Sequence, residues 1–195
     1  GSVRDALLGR LGNDLDFTTP ARPEVVKEIL DEWAETVWDT GIDFGTVSAA
    51  YKGQQIEITT FRSDSYDGQS RNPEVVYGDT LEGDLVRRDF KANAMAIELL
   101  ADASFKFHDP LHGLQDIADR VLDTPDKPEI SFHDDPLRML RAARFASQLE
   151  FRVADRVVEA MRDMAGEIQR ITVERVQVEL DKLICGTAPW DGIDL

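Results

Sequence analysis

The sequence predicts an α+β protein, and three observations predict it. Short runs with the two-residue alternation of β-strands fall at 14–19, 45–61 and 96–108. A Lys52-Gly53 turn splits the second of these into two strands, and after Pro128 three helical patterns follow with no strand signal between them. A shift of composition near 126–128 divides the chain into a β-rich part with a small mixed sheet, residues 1–127, and an all-α part, residues 128–195.

Residues 3–11 read as a short helix closed by Gly9 or Gly12, which delivers the chain into a strand at 14–19. Pro23 opens an amphipathic helix predicted over 23–38, with Val25, Val26, Ile29, Leu30, Trp33 and Val37 at helical spacing. A hairpin follows, with strands at 45–51 and 54–61. The stretch 62–72 is rich in Ser, Asp and Gly without apolar periodicity and reads as a loop. A short helix at 79–88, strands at 96–100 and 105–108, and a small helix at 113–119 complete the first part. Helices are then predicted over 135–149, 154–169 and 173–183.

The 195 residues are 42% hydrophobic and 31% charged, ordinary values for a soluble globular protein. No run of about 18 apolar residues marks a membrane span, and no basic-then-apolar leader opens the chain, so the sequence reads as cytoplasmic. Cys185 has no partner for an internal disulfide. The chain begins at once on Gly1-Ser2-Val3 and stops within an apolar pattern, which reads as a piece of a longer protein. A formal net charge of −16 argues against a broad phosphate-binding surface, yet arginines gather at Arg87-Arg88 and at Arg138, Arg141 and Arg144, where a local anion site is possible.

Chemistry is most visible in Gly12-Asn13-Asp14-Leu15-Asp16-Phe17. Strand alternation gives Asp14 and Asp16 one face and Leu15 and Phe17 the other. Oxygen donors of this kind suit Mg²⁺, which takes one or two carboxylates and completes its shell with water or substrate phosphate. An isolated Asp-x-Asp is equally a solvated strand end. In the second hairpin strand Glu57 alternates with Ile56 and Ile58, so it can join the aspartate face or simply meet solvent. On the helix over 135–149 the apolar arc leaves Arg138, Arg141 and Arg144 together on one side, with Asp134 and Asp135 at the N-terminus. That row is either a solvated face or a reader of phosphates and base edges. A carboxylate accepts from the amino groups of cytosine and adenine, not from the carbonyls of guanine and uracil.

Taken in order, Gly1-Ser2-Val3-Arg4-Asp5-Ala6-Leu7-Leu8-Gly9 running into Asp14-Leu15-Asp16, Arg87-Arg88-Asp89-Phe90 with Asn93-Ala94, Asp134-Asp135-Pro136-Leu137-Arg138 with Arg141 and Arg144, and Val173-Glu174-Arg175 with Glu179 resemble the successive motifs of class II tRNA nucleotidyltransferases. These are the bacterial CCA-adding enzymes and their poly(A) polymerase relatives. The resemblance implies a polymerase-β-like nucleotidyltransferase head followed by a helical neck. It implies that Asp14 and Asp16 bind the metal, that Gly1, Arg4 and Arg88 contact the incoming triphosphate, and that Asp135 and Arg138 read the base with Arg141 and Arg144 as further nucleotide contacts. Mg²⁺ is then the cofactor, and ATP, CTP and the tRNA 3′ end the partners, with no membrane involved. Glu57 is the candidate supporting carboxylate or base.

This sequence departs from the family pattern in four places. One glycine stands where two are usual, Asp134 where Glu is common, Lys91 where Thr is frequent, and Asn72 where Arg is expected in the loop. The expected function is template-independent addition of C and then A to tRNA 3′ ends with release of pyrophosphate. The alternatives are poly(A) addition, or an inert nucleotide- or RNA-binding fragment. His108, His112 and His133 lack the ligand spacing of a zinc site.

Overall fold

The computed structural model describes residues 1–62 and 77–195, with Asp14 described by its backbone alone. Two compact units result, Gly1–Arg87 and Arg88–Leu195.

In the first unit a short helix, α1 (Ser2–Leu7), leads through Gly9, whose φ of 68° suits glycine, into β1 (Asp14–Thr19). Helix α2 (Pro23–Asp31) starts on Pro23, where the missing amide proton costs nothing, and turns Val26 and Leu30 inward. These pack on Val47 and Ala49 with Val37, Ile42 and Ile58 around them, which forms the core of the unit. Strands β2 (Thr36–Trp38), β3 (Thr46–Tyr51) and β4 (Gln54–Thr60) complete a four-stranded sheet in the order β1-β4-β3-β2, and α3 (Leu81–Val86) follows. The β3–β4 hairpin turns at Lys52 (φ 49°) and Gly53 (φ 76°), the left-handed pair that matches strand twist. Within this sheet β1 pairs in parallel with β4, and the other two pairings are antiparallel.

The helix predicted over 23–38 ends early. The amides of Trp33 and Ala34 still bond back to Leu30, but the Glu35 amide donates to the Ala50 carbonyl (2.9 Å), and Thr36-Val37-Trp38 runs on as an edge strand against β3. A β-branched and aromatic triplet gains more from that pairing than from another helical turn.

In the second unit β5 (Ala96–Leu99) and β6 (Phe105–His108) form a separate hairpin, and α4 (Gly113–Asp119) leads into β7 (Val121–Leu122). Helices α5 (Pro128–Asp134) and α6 (Leu137–Leu149) come next, then a two-residue strand, β8 (Arg152–Val153), paired in parallel with β7. Helices α7 (Asp155–Met164), α8 (Val173–Ile184) and α9 (Pro189–Ile193) finish the unit. Helix α6 is its centre, with Leu137, Met139, Ala142, Phe145, Ala146 and Leu149 all buried. Its small residues admit close neighbours. Ser147 Oγ donates to the Leu183 carbonyl at 2.7 Å, and a Cβ at Gly192 of α9 would stand 2.3 Å from the Ala143 carbonyl oxygen.

Packing divides the chain at Arg87/Arg88, whereas composition shifts at 127/128. Composition marks where the longer strands stop. Packing keeps residues 88–127 with the helices through the β7–β8 pair and the edge-to-face stack of Phe90 on Phe145 (5.9 Å). The short strand β8 interrupts the helical pattern that the sequence predicts after Pro128. Among the described residues no helix is long and apolar enough to cross a membrane.

One carboxylate of this unit makes its stability depend on pH. Asp116 on α4 keeps Oδ2 buried with no hydrogen-bond partner among the described residues. Burial pushes its carboxyl up to about 6, eased by Lys91 and aggravated by Asp123, Asp119 and Asp109. The folded state therefore holds this proton more tightly than the unfolded chain. Its contribution falls as pH rises from about 4 to about 6 and stays lowered above that. Asp116→Asn is expected to stabilise the protein by about 1 kcal/mol at about pH 8, after allowance for partial solvent exposure, and by nothing at about pH 4. Urea unfolding at the two pH values measures the difference.

Candidate active site

The parallel pairing of β1 with β4 places Asp14 opposite Gln55 and Asp16 opposite Glu57. Register partners on neighbouring strands share a face, so Glu57 stands beside Asp16, one of the two arrangements the alternation allowed. The side chain of Asp14, and with it the shared face expected of Asp14 and Asp16, lies outside the described atoms. Gln55 Nε2 donates to Glu57 Oε1 at 3.5 Å.

Asp16 is held from α1. Ser2 Oγ donates to its Oδ2 (3.3 Å) and accepts from its backbone amide (2.8 Å). A Cβ built on Gly1 would stand 3.6 Å from the same Oδ2. The structure thus brings Gly1, Ser2, Asp16 and Glu57 together. Sequence reasoning gave Ser2 no role, although its place directly after Gly1 in the first motif was the available signal. Arg4, on the same short helix, is buried, and its Nε and Nη2 donate to Asp5 Oδ1 and Oδ2, each at 2.9 Å.

This acidic edge suits a hard divalent cation. Asp16 and Glu57 offer oxygen donors alone, and Asp16 is solvent-exposed. Among the described residues no three His, Cys, Asp or Glu side chains converge into a metal-binding group. Oxygen donors of this kind fit a hard divalent metal ion in general. Of the histidines, His108 Nε2 lies 2.8 Å from Glu98 Oε2, and the His133 carbonyl accepts from Arg170.

In the second unit the arginine row lies within an ionic network. Arg144 Nε stands 2.6 Å from Glu179 Oε2 of α8, and Arg141 Nη1 stands 3.7 Å from Glu179 Oε1. Arg141 Nε also donates to Asp89 Oδ2 (2.8 Å), an oxygen that Arg141 Nη2 bonds as well. The solvated face that the spacing left open is therefore excluded for Arg144, which is 9% exposed. Arg138 lies one turn earlier and donates from Nη1 to Ser131 Oγ at 2.8 Å.

Asp135 caps α6, as its position suggested, with Oδ1 accepting from the Leu137 amide (3.1 Å) while Oδ2 takes Arg175 Nη2 (2.9 Å). Each oxygen keeps a further lone pair. Arg88 is half-buried at the start of the second unit. Lys91 donates to Asp123 Oδ2 at 2.6 Å, and Arg156 Nε takes Asp123 Oδ1 at 2.7 Å. Burial alone would raise the Asp123 carboxyl, but these two cations hold it below the ordinary range. Asn72 and its loop lie outside the described residues.

Known proteins resemble the chain throughout. The family model described as the poly A polymerase head domain matches residues 1–123, and one described as a probable RNA and SrmB-binding site of polymerase A matches residues 150–195. A CCA-adding enzyme of Listeria innocua is 42% identical over 196 aligned residues, covering 100% of this chain and 48% of the relative. A second, from Levilactobacillus brevis, is 42% identical over 99% of this chain and 47% of its own length. Among solved structures, the Bacillus stearothermophilus CCA-adding enzyme in complex with CTP superposes with a TM-score of 0.83 at 38% identity, over 95% of this chain and 43% of that one. The Thermotoga maritima CCA-adding enzyme complexed with tRNA gives 0.77 at 29% identity, over 100% of this chain and 44% of that one. The chain spans about half the length of the curated relatives it matches. Its fold is that of a polymerase-β-like nucleotidyltransferase head followed by a helical neck, and the chain belongs to the poly A polymerase head domain family.

Proposed function

We propose that the protein adds CCA to tRNA 3′ ends, transferring CMP and then AMP from CTP and ATP with release of pyrophosphate, in the cytoplasm and with Mg²⁺ as cofactor. The observation that carries this reading is the register of Asp16 beside Glu57, with Gly1 and Ser2 against the Asp16 carboxylate. The names of the relatives supply the substrate: CCA-adding enzymes match the chain from end to end. By function the division runs between residues 1–127, the nucleotidyltransferase head, and 128–195, the base-reading neck.

Asp14 and Asp16 hold the metal, and Glu57 supports them or takes up the proton of the attacking hydroxyl. Bound Mg²⁺ supplies charge neutralisation for the leaving pyrophosphate and acidifies the tRNA 3′-hydroxyl. The 3′-oxygen forms a bond to the α-phosphorus as the bond from that phosphorus to the bridging oxygen breaks. Gly1, Arg4 and Arg88 receive the triphosphate. Asp135 accepts from the amino group of cytosine or adenine while Arg138 donates to a neighbouring ring acceptor, which disfavours the carbonyl edges of guanine and uracil. Arg141 and Arg144 add phosphate contacts from the same helix.

A second reading is poly(A) addition, favoured by the description of the matching family model. Both are tested by giving the intact protein Mg²⁺, tRNA lacking its CCA end, and CTP and ATP singly and together. CTP incorporation followed by ATP is the expected result. ATP tailing of unrelated RNA would favour the second reading, and no incorporation of either nucleotide would overturn both.

A further inference from the structure

Helix α5 stops at Asp135, whose extended backbone (φ −142°, ψ 99°) interrupts the helical run before Pro136, and α6 resumes at Leu137. Across this break a side chain of α5 meets one from the first turn of α6: Ser131 Oγ accepts from Arg138 Nη1 at 2.8 Å. Ser131 is 7% exposed, and Phe132 beside it is fully buried. The bond of Arg170 Nη1 to the His133 carbonyl (3.1 Å) ties down the end of the same helix. The hydroxyl is therefore held in place by packing.

The helix itself does not require that hydroxyl. The Ser131 carbonyl already accepts from the Asp135 amide (3.2 Å), and a serine within a helix can bond back to its own preceding turn. Here it takes an arginine instead. Arg141 and Arg144 meet carboxylates, whereas Ser131 orients a guanidinium without adding a counter-charge of its own. Asp135, three residues before Arg138, is also held by the protein, with Oδ1 on the Leu137 amide and Oδ2 on Arg175 Nη2.

We propose that Ser131 is a positioning residue for base selection: by accepting from Nη1 it sets the Arg138 guanidinium in one orientation, so that Asp135 and Arg138 reject the carbonyl edges of guanine and uracil. The proposal rests on the base-reading role given above to Asp135 and Arg138, and adds a residue to it. Ser131 touches no substrate. Rejection of a wrong base depends on leaving fixed polar groups unpaired. An arginine free to turn re-pairs with the wrong edge, whereas a planar fork held at one nitrogen keeps its other donors in set directions.

The test measures equilibrium binding of CTP, UTP and inorganic tripolyphosphate to the intact protein, for wild type, Ser131→Ala, Ser131→Thr, Arg138→Ala and the double variant Ser131→Ala with Arg138→Ala. In Ser131→Ala the preference for CTP over UTP should fall about ten-fold, while tripolyphosphate, which has no base, binds within about two-fold of wild type. Ser131→Thr keeps the hydroxyl and should keep the preference. In the Arg138→Ala background, Ser131→Ala should change the preference by less than about two-fold, because both act through one contact. The idea is overturned if Ser131→Ala discriminates as wild type does, if tripolyphosphate weakens as much as CTP, or if the two substitutions multiply. Should Ser131→Thr fail to fold, Ser131→Cys, close in shape but a weak acceptor, takes its place and should lose the preference as Ala does; a preference kept in Cys also overturns it. If Arg138→Ala itself leaves the preference intact, the base-reading role fails and this inference with it. A preference lost in Arg138→Ala but kept in Ser131→Ala sinks this inference alone, so the two failures are distinguishable.

Discussion

Asp16→Ala is expected to lower nucleotide transfer by at least about 10³-fold, roughly 4 kcal/mol of transition-state stabilisation, while leaving the fold intact. Asp14→Ala should do the same. The fold survives because Asp16 is exposed and, among the described residues, its side chain makes one long bond, to Ser2 Oγ at 3.3 Å, whereas the stronger contact, from the Asp16 amide to Ser2 Oγ at 2.8 Å, belongs to the backbone. Single-turnover incorporation of CTP with added Mg²⁺, read beside thermal unfolding, checks both halves. Transfer within about ten-fold of wild type, in a variant that melts normally, would sink the metal assignment.

Glu179→Ala is expected to cost stability on a scale few single changes reach, about 3 kcal/mol, and to lower Tm by roughly 10 °C. Glu179 is 5% exposed and faces Arg144, itself buried, as well as Arg141. Removing the carboxylate leaves the Arg144 guanidinium in a low-dielectric site without its 2.6 Å counter-charge, and the cost of an uncompensated buried ion exceeds what the pair contributes while whole. Glu179→Gln keeps the shape and loses the charge, so it should fall between wild type and Ala. A Tm unchanged in Glu179→Ala would mean that the network is ornamental to stability. Calorimetry of the three proteins decides it.

Much of this arrangement was legible in the sequence. The Lys52-Gly53 turn fixed the hairpin, and with it the alternation that carries Glu57. That Glu57 would neighbour Asp16 required the parallel pairing of β1 with β4, and no local pattern specifies which strand lies beside which. β2 was hidden because Val37 falls at a helical interval after Leu30 and Trp33, so the helix of 23–38 seemed unbroken; only the strand waiting at Ala50 ends it.

The arginine row shows the same limit. Periodicity separated Arg138, Arg141 and Arg144 from the apolar arc, but it could not tell water from Glu179, which comes from another helix. Asp89 was visible as part of a motif. Its partner was not, because the bond to Arg141 joins two distant stretches of chain. Local chemistry could be read from the sequence, while contacts between distant segments could not.

The sheet order has one more consequence. Among the described residues β1 lies at the edge of the β1-β4-β3-β2 sheet, and an edge strand with an apolar run is a template on which another chain can add a strand. β1 reads Asp-Leu-Asp-Phe-Thr-Thr, so its hydrophobic residues are interleaved with negative charge. The aspartates proposed for catalysis therefore also guard the protein against aggregation, since a second copy approaching that edge would have to bury carboxylates against carboxylates.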